Sequence, residues 1–225
     1  MRIIEPSFSL STPYSEGLTR EDGIRMLRFI EHQGRISHRS EDKQGLDTWE
    51  RFIKAVVIEH GDWSVTEHAS ITATIRTDRG VTHELVRHRL FAFTQESTRF
   101  VRYAGDRVQM EFIRPEAIDE DGQSMELFRV HCQNSESVYN TLLARGGRPQ
   151  EARSVLPNAL AATIAVTGNL RNWRHFFLMR TSKETHPDFR RISIPMLEEF
   201  KKVVPSLYDD IEPNVRQIDN LKKAR

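Results

Sequence analysis

The sequence predicts an α+β fold in which a small antiparallel sheet is flanked by helices. Helical patterns occupy most of the chain, and short alternating patterns typical of half-buried strands lie between them. Neither a strand–helix–strand repeat nor an internal repeat is present, which argues against a doubly wound parallel sheet. No Gly/Ser/Pro-rich linker interrupts the 225 residues. We therefore expect one domain over residues 1–225, with a frayed charged tail after about residue 213.

Two helical patterns precede the first predicted strand. Residues 20–33 carry apolar side chains at helical spacing, with a capping box that begins at Thr19 and an expected end at Gly34. Residues 47–60 repeat the pattern and end at Gly61, because glycine readily supplies the left-handed residue that follows a helix.

The middle of the chain alternates between strand and helix patterns. Residues 69–77 alternate small or apolar side chains with hydroxyl side chains, which predicts a half-buried strand that is broken at Gly80. Residues 81–87 predict a short helix, and residues 107–113 predict a second strand.

Helices dominate the second half of the chain. A long helix is predicted at residues 124–145 and a shorter one at residues 149–155. Residues 159–166 fit either a strand or a buried helix, and we favour a strand because Gly168-Asn169 follow as an expected turn. Three further helices are predicted at residues 169–179, 187–203 and 205–210.

Charge and cysteine content limit the classes of function. The 33 basic and 32 acidic residues nearly cancel, so no global field draws the protein to nucleic acid or to an anionic membrane. Cys132 is the single cysteine, which excludes an internal disulfide and a cysteine zinc site. The histidine spacings also predict no metal site. Neither a signal peptide nor an apolar span of about 20 residues is apparent, so we expect an unprocessed cytoplasmic protein.

One segment concentrates the polar chemistry of the chain. Residues 87–103 interleave four arginines and one histidine with hydroxyl and amide side chains. Guanidinium groups match phosphate oxygens through paired hydrogen bonds, and neutral polar groups fix the orientation of a ligand. The segment therefore predicts a site for a phosphorylated ligand, with a solvated basic face as the alternative. The chain contains neither of the two common glycine-rich phosphate loops, so side chains would have to hold a dinucleotide.

The spacing within this segment resembles a family signature. Arg87-His88-Arg89, seven further residues and Ser97 resemble the RHR-x7-S motif of the flavin-dependent thymidylate synthases, and Ser97-x-Arg99-Phe100 resembles the end of that motif. The resemblance extends over roughly residues 45–200. Its flanking matches are His60-Gly61, Ser64, Glu67, His68, Glu151-Ala152-Arg153, Leu156-Pro157, Asn169-Leu170-Arg171 and Arg180.

This resemblance implies a fold, an activity and an assembly. The implied enzyme has a flavin-dependent thymidylate synthase-like fold and converts dUMP to dTMP, with methylenetetrahydrofolate as the one-carbon donor and NADPH-reduced FAD as the hydride source. Family members are homotetramers whose active sites combine residues of several subunits. They use no cysteine nucleophile, which agrees with a chain whose lone Cys132 we assign to packing.

The resemblance also implies the site residues. Arg180 is the implied catalytic residue, since a cation at the O2/N3 edge of the pyrimidine stabilises the polarised ring. Arg153 is expected to come from a neighbouring subunit. The implied dUMP ligands are Glu84, Arg87, Gln95, Glu96, Ser97, Thr98, Arg99, Arg153 and Arg180. The implied FAD ligands are Ser64, Arg87, His88, Arg89, Gln95, Asn169, Arg171 and His175.

Three positions depart from the family pattern. Glu84 stands where glutamine is frequent, and Gln95 stands where an acidic residue is frequent. Both changes keep the side-chain length and change its charge, so we expect altered nucleotide contacts there. Phe100 replaces the commoner tyrosine.

A second hypothesis is a single-stranded RNA or nucleotide-binding module. The aromatic residues among the arginines of segment 87–103 could stack on bases. Near-zero net charge argues against this hypothesis. The stacking residues would be Phe91, Phe93, Phe100 and Tyr103.

Overall fold

The computed structural model describes residues 1–104 and 108–213. The predicted frayed tail and Arg107, the first residue of a predicted strand, lie outside these residues. The strands are β1 (Arg2–Ile4), β2 (Ser7–Ser11), β3 (Ser70–Asp78), β4 (Ala92–Gln95), β5 (Glu111–Ile113) and β6 (Ala161–Asn169). The α-helices are α1 (Arg20–Ile36), α2 (Thr48–Phe52), α3 (Arg79–Leu85), α4 (Gln123–Ala144), α5 (Pro149–Ala152), α6 (Leu170–Arg180) and α7 (Pro187–Val203).

The strands form two small sheets, and the predicted α+β class is confirmed. The four-stranded sheet has the order β2-β3-β6-β4. Strands β3 and β6 are antiparallel, since Thr72 bonds to Thr167 whereas Arg76 bonds to Thr163. In the second sheet, β1 pairs in parallel with β5. The sequence analysis did not predict β1, β2 or β4, each of which has at most five residues.

The chain divides into two compact units. Unit 1 comprises Met1–Phe8, Thr74–Arg89 and Phe93–Ala165. Unit 2 comprises Ser9–Ala73, Leu90–Ala92 and the described residues from Val166 onward. The single-domain organisation remains a prediction. Among the described residues, no helix is long and apolar enough to cross a membrane.

The core of unit 1 forms between α4 and the segments that precede β5 and β6. Tyr139 and Cys132 of α4 are fully buried, and they belong to one cluster with Tyr103, Phe112 and Leu160. Unit 2 is built around the aromatic face of α6. The Trp173 indole donates a hydrogen bond to the Ile71 carbonyl at 3.0 Å and packs against Phe177 and Phe200.

Helix α1 begins as predicted and ends later than predicted. The Thr19 hydroxyl accepts from the Asp22 amide at 3.2 Å, and the Thr19 amide donates to the Asp22 carboxylate at 2.8 Å, which completes the capping box. Gly34 does not end the helix. It is buried against Phe52, where a Cβ atom would lie 2.4 Å from the ring. The glycine therefore permits close packing instead of a chain reversal.

The helix predicted at residues 47–60 forms as α2 followed by a π-helix at Ile53–Glu59. Gly61 then adopts the expected left-handed conformation, with φ of +82°. Short 3-10 helices lie at Glu41–Lys43, Trp63–His68 and Arg153–Val155, of which the last continues α5.

Three other local predictions are wrong. Gly80 does not break β3, because Asp78 ends the strand and caps α3 by accepting from the Val81 amide at 2.9 Å. Gly168 lies inside β6, and its missing side chain leaves room for the Phe91 ring, which a Cβ atom would approach to 2.4 Å. Residues 205–210 form turns instead of a helix.

We expect Gly23→Ala to destabilise the fold. Gly23 of α1 faces the end of α7, and an added Cβ atom would lie 1.6 Å from the Val203 carbonyl oxygen. Backbone at this distance cannot yield as a flexible side chain would, so the free energy of unfolding should fall by about 3 kcal/mol. Gly17→Ala is the matched control, because nothing lies within 4 Å of its Cβ position. Equal denaturant midpoints for the two variants would contradict the packing argument.

Candidate active site

The Arg-His-Arg segment follows helix α3 and lies at the surface of unit 1. After the helix ends, the Arg87 amide donates to the Glu84 carbonyl at 3.3 Å and the His88 amide donates to the Leu85 carbonyl at 3.0 Å. These bonds form a turn that leaves Arg87 and Arg89 exposed and His88 half-buried. Glu84 itself is half-buried on α3.

Four exposed arginines lie close together in the sequence of this region. Within residues 1–104 and 108–213, no carboxylate pairs with Arg87, Arg89, Arg99 or Arg102. By contrast, Arg174 in unit 2 forms two bonds to a single carboxylate. Cations that the fold does not neutralise are available to an anionic ligand.

A tight turn follows β4 and carries the serine of the motif. The Ser97 carbonyl accepts from the amides of Phe100 at 3.1 Å and Val101 at 2.9 Å, and the Ser97 hydroxyl accepts from the Arg99 amide at 3.3 Å. Ser97 therefore shapes the turn, and its hydroxyl proton can point to a ligand. Just before the turn, the Gln95 amide nitrogen donates to the Thr82 hydroxyl at 3.0 Å.

Arg153 lies beside Thr98 within one chain. The Thr98 side chain is buried, and its hydroxyl accepts from Arg153 Nη1 at 3.3 Å. A contribution of Arg153 from a neighbouring subunit stays a prediction.

Glu96 is bonded within the protein. Its Oε1 accepts from the Tyr103 hydroxyl at 2.6 Å, and its Oε2 accepts from the Thr163 amide at 3.2 Å and from Arg76 Nη1 at 3.4 Å. The same guanidinium binds the Thr163 hydroxyl at 2.8 Å and the Glu111 carboxylate at 3.0 Å. These bonds hold Glu96 in place, and its contact with dUMP stays a prediction.

Tyr103 stays protonated over the physiological range. Burial and then the hydrogen bond to the Glu96 carboxylate raise the pKa of the Tyr103 phenol well above its ordinary value. The hydroxyl is therefore a permanent donor to Glu96 near neutral pH. Sequence reasoning missed this network because Arg76, Tyr103 and Thr163 have no informative spacing. The one usable signal was a lone arginine within the alternating pattern of β3.

Four of the predicted FAD ligands lie in unit 2. Ser64 is exposed on the 3-10 helix Trp63–His68, and His175 is exposed on α6. Asn169 caps α6 by accepting from the Asn172 amide at 2.8 Å. Arg171 Nη1 lies 2.6 Å from a Glu67 carboxylate oxygen, in a pair whose side chains are both about half exposed.

Arg180 ends α6 and is held by an aromatic ring. Its guanidinium carbon lies 4.7 Å from the centroid of the Phe189 ring, and its backbone carbonyl accepts from the Ser193 hydroxyl at 2.6 Å. A cation–π contact attracts the guanidinium to the ring. The ring therefore restrains the position of this cation.

The aromatic side chains of segment 87–103 do not form a stacking surface. Phe91 packs edge-on against Trp173 at a centroid distance of 4.8 Å, and Tyr103 is only 3 % exposed. Phe93 is half-buried, whereas Phe100 is 78 % exposed. One open ring does not provide the successive platforms that single-stranded nucleic acid requires.

The chain belongs to the thymidylate synthase complementing protein family, whose model matches residues 24–206. It is 40% identical over 172 residues to a flavin-dependent thymidylate synthase of Corynebacterium efficiens, which covers 69% of this chain and 67% of that protein. It is 34% identical over 230 residues to the flavin-dependent thymidylate synthase of Mycobacteroides abscessus, covering 94% and 89% of the two chains.

A solved structure shares the fold. The UMP/dUMP methylase PolB of Streptomyces cacaoi, bound with 5-Br dUMP, superposes with a TM-score of 0.72 at 19% identity. The match covers 93% of this chain and 96% of the PolB chain. The predicted family and fold class are therefore confirmed.

We expect Cys132 to be inert in the folded protein. Its side chain is fully buried in the core of unit 1, and burial raises the pKa of Cys132 to about 11. A neutral, inaccessible thiol reacts poorly with electrophiles at neutral pH. A chromogenic disulfide reagent should therefore label the native protein slowly and label one thiol per chain at once in denaturant. Rapid labelling without denaturant would contradict this expectation.

Proposed function

We propose that the protein methylates dUMP to dTMP, using methylenetetrahydrofolate as the one-carbon donor and NADPH-reduced FAD as the hydride source. Membership of the flavin-dependent thymidylate synthase family supports this reaction. The structural observation that carries the proposal is a set of four exposed arginines on residues 87–102, the segment that contains Ser97, without a carboxylate partner among the described residues. Such a group suits a nucleotide phosphate.

The proposed dUMP site lies on the segment from α3 to the Ser97 turn. Arg87 and Arg99 would bind phosphate oxygens, and the Ser97 hydroxyl would donate to the nucleotide. Arg153 would complete the phosphate site from beside Thr98. Glu84 and Gln95 lie on the same segment and are proposed to contact the nucleotide directly.

The donor set also fits a dinucleotide that is bound without a glycine loop. Arg87, His88 and Arg89 are three consecutive basic residues, and Gln95 lies further along the same segment. Arg171 is paired with Glu67, but an ion pair exposed to water is weak, so an incoming phosphate can compete for it. Bound FAD supplies the hydride that completes the methyl group. The proposed FAD ligands in unit 2 are Ser64, Asn169, Arg171 and His175.

Arg180 is proposed to stabilise charge on the pyrimidine. Reaction at C5 requires an electron-rich ring, and a fixed cation at the O2/N3 edge favours that state. The Phe189 ring restrains the Arg180 guanidinium, so little reorganisation would be needed during the reaction. No step is assigned to Cys132, which is buried in the core.

We further propose a cytoplasmic homotetramer with shared active sites. The lone cysteine supports a cytoplasmic location. Exposed apolar side chains on α4, among them Leu127 at 68 % and Val138 at 46 %, support an assembled form, because isolated chains seldom expose such a row.

Purified protein should be yellow or become so with FAD, and light scattering should report a tetramer. Incubation with dUMP, methylenetetrahydrofolate and NADPH should yield dTMP, measured by chromatography. Arg87→Ala should reduce dUMP and FAD binding, since it removes a charge from the proposed phosphate site. Arg145→Ala is the control, because it removes an exposed arginine at the end of α4 to which no ligand contact is assigned. A colourless monomer that ignores added FAD and forms no dTMP would contradict the proposal.

We expect Arg99 and Arg180 to affect different kinetic constants. Arg99→Ala should weaken dUMP binding by ~1.5 to 3 kcal/mol, as expected for loss of a charged hydrogen bond. Arg180→Ala should lower kcat by ~10²-fold or more, on the scale of losing one preorganised electrostatic donor. Arg180→Lys should recover little, because an ammonium lacks the planar fork.

The measurements are dUMP affinity by calorimetry and single-turnover oxidation of reduced flavin for each variant. Normal turnover in Arg180→Ala, with only the dUMP affinity reduced, would place the activating group elsewhere.

A further inference from the structure

The turn that carries Ser97 and Arg99 is part of a loop whose ends are tied together. The Tyr103 hydroxyl donates to Glu96 Oε1 at 2.6 Å and so joins residues seven positions apart. Ser97, Thr98 and Arg99 lie between the two joined residues. The loop of residues 96–103 is therefore closed by one side-chain hydrogen bond at its base.

Glu96 anchors one end of this loop to β6. Its amide donates to the Thr163 carbonyl at 2.8 Å, and its Oε2 accepts from the Thr163 amide at 3.2 Å. Arg76 contacts the same carboxylate oxygen and also binds Glu111. Both carboxylate oxygens of Glu96 accept hydrogen bonds from the protein, and only 18% of the side chain is exposed. The carboxylate is therefore held in place by the protein.

Tyr103 anchors the other end of the loop in the core of unit 1. Its amide donates to the Tyr139 hydroxyl at 3.4 Å, and the two rings pack edge to face at 6.2 Å. Tyr139 is fully buried on α4, so the anchor is rigid.

We propose that Glu96 and Tyr103 form a clasp that positions the Ser97–Arg99 turn for dUMP, with Glu96 acting as a positioning residue. This inference rests on the proposed function. A loop that is ordered before binding loses less conformational entropy when the nucleotide arrives. Arg76 also neutralises the Glu96 carboxylate. Without this cation, a carboxylate beside the phosphate site would repel the ligand.

The test compares Glu96→Ala, Tyr103→Phe and the double variant with Glu111→Gln. Glu111→Gln removes a carboxylate from the same arginine and leaves the loop closure intact, which makes it a matched control. Calorimetry measures dUMP affinity, and steady-state kinetics separates KM for dUMP from kcat. Hydrogen exchange of the peptide over residues 97–103 measures loop order without any ligand.

Both single variants should weaken dUMP binding by about tenfold or more, as expected for loss of a hydrogen bond to a charged group. KM should rise while kcat at saturation changes little, and exchange in the loop should accelerate. The double variant should bind dUMP about as weakly as either single variant, because both remove one clasp. Glu111→Gln should retain wild-type affinity and loop exchange. Tyr103→Phe removes only a hydroxyl, so this variant alone tests the clasp should Glu96→Ala fail to fold.

Additive losses in the double variant would overturn the clasp and indicate that Glu96 contacts the nucleotide itself. Unchanged affinity and exchange in both single variants would also overturn it, while the proposed function would stand. Failure of the wild-type protein to bind dUMP would instead overturn the proposed function and this assignment with it.

Discussion

The Arg76 guanidinium is the contact on which the geometry of the candidate dUMP site depends. It lies on β3 and binds the Glu96 carboxylate, the Glu111 carboxylate and the Thr163 hydroxyl, which belong to three different segments of unit 1. Partly buried carboxylates are costly unless each finds a partner, and this guanidinium is a partner of both. Its contact with Glu96 ties the residue directly before Ser97 to β3.

The arginines of this chain divide by their partners. Arg76 and Arg174 bind carboxylates and belong to the structural framework, whereas Arg87 and Arg99 have no such partner among the described residues. A net charge of +1 is therefore compatible with a strongly cationic site. Opposite charges cancel in the ion pairs of the framework, and four exposed arginines without such partners lie on residues 87–102, the segment proposed to bind the nucleotide.

Aromatic packing sets the position of α6 and of the residues at its two ends. Trp173 bonds to the Ile71 carbonyl, and Phe91 occupies the space left by the absent side chain of Gly168. The helix thereby places Asn169 at its start and Arg180 at its end, where Phe189 holds the guanidinium. A residue that stabilises developing charge must be held in place before the reaction, and a rigid scaffold of this kind does so.

Local physics in the sequence determined the helices, the alternation of β3, the Thr19 capping box and the left-handed Gly61, because each depends on neighbours within a few residues. The motif from Arg87 to Ser97 likewise indicated the family.

Tertiary structure alone decided the rest. Gly34 and Gly168 were misread as ends of elements because their function is to admit the rings of Phe52 and Phe91, which lie far away in sequence. The contact of Glu96 with dUMP stays a prediction, and its partners Arg76 and Thr163 within the protein come from other strands. Only the folded chain could show these bonds, because contacts between distant segments leave no periodic trace in a sequence.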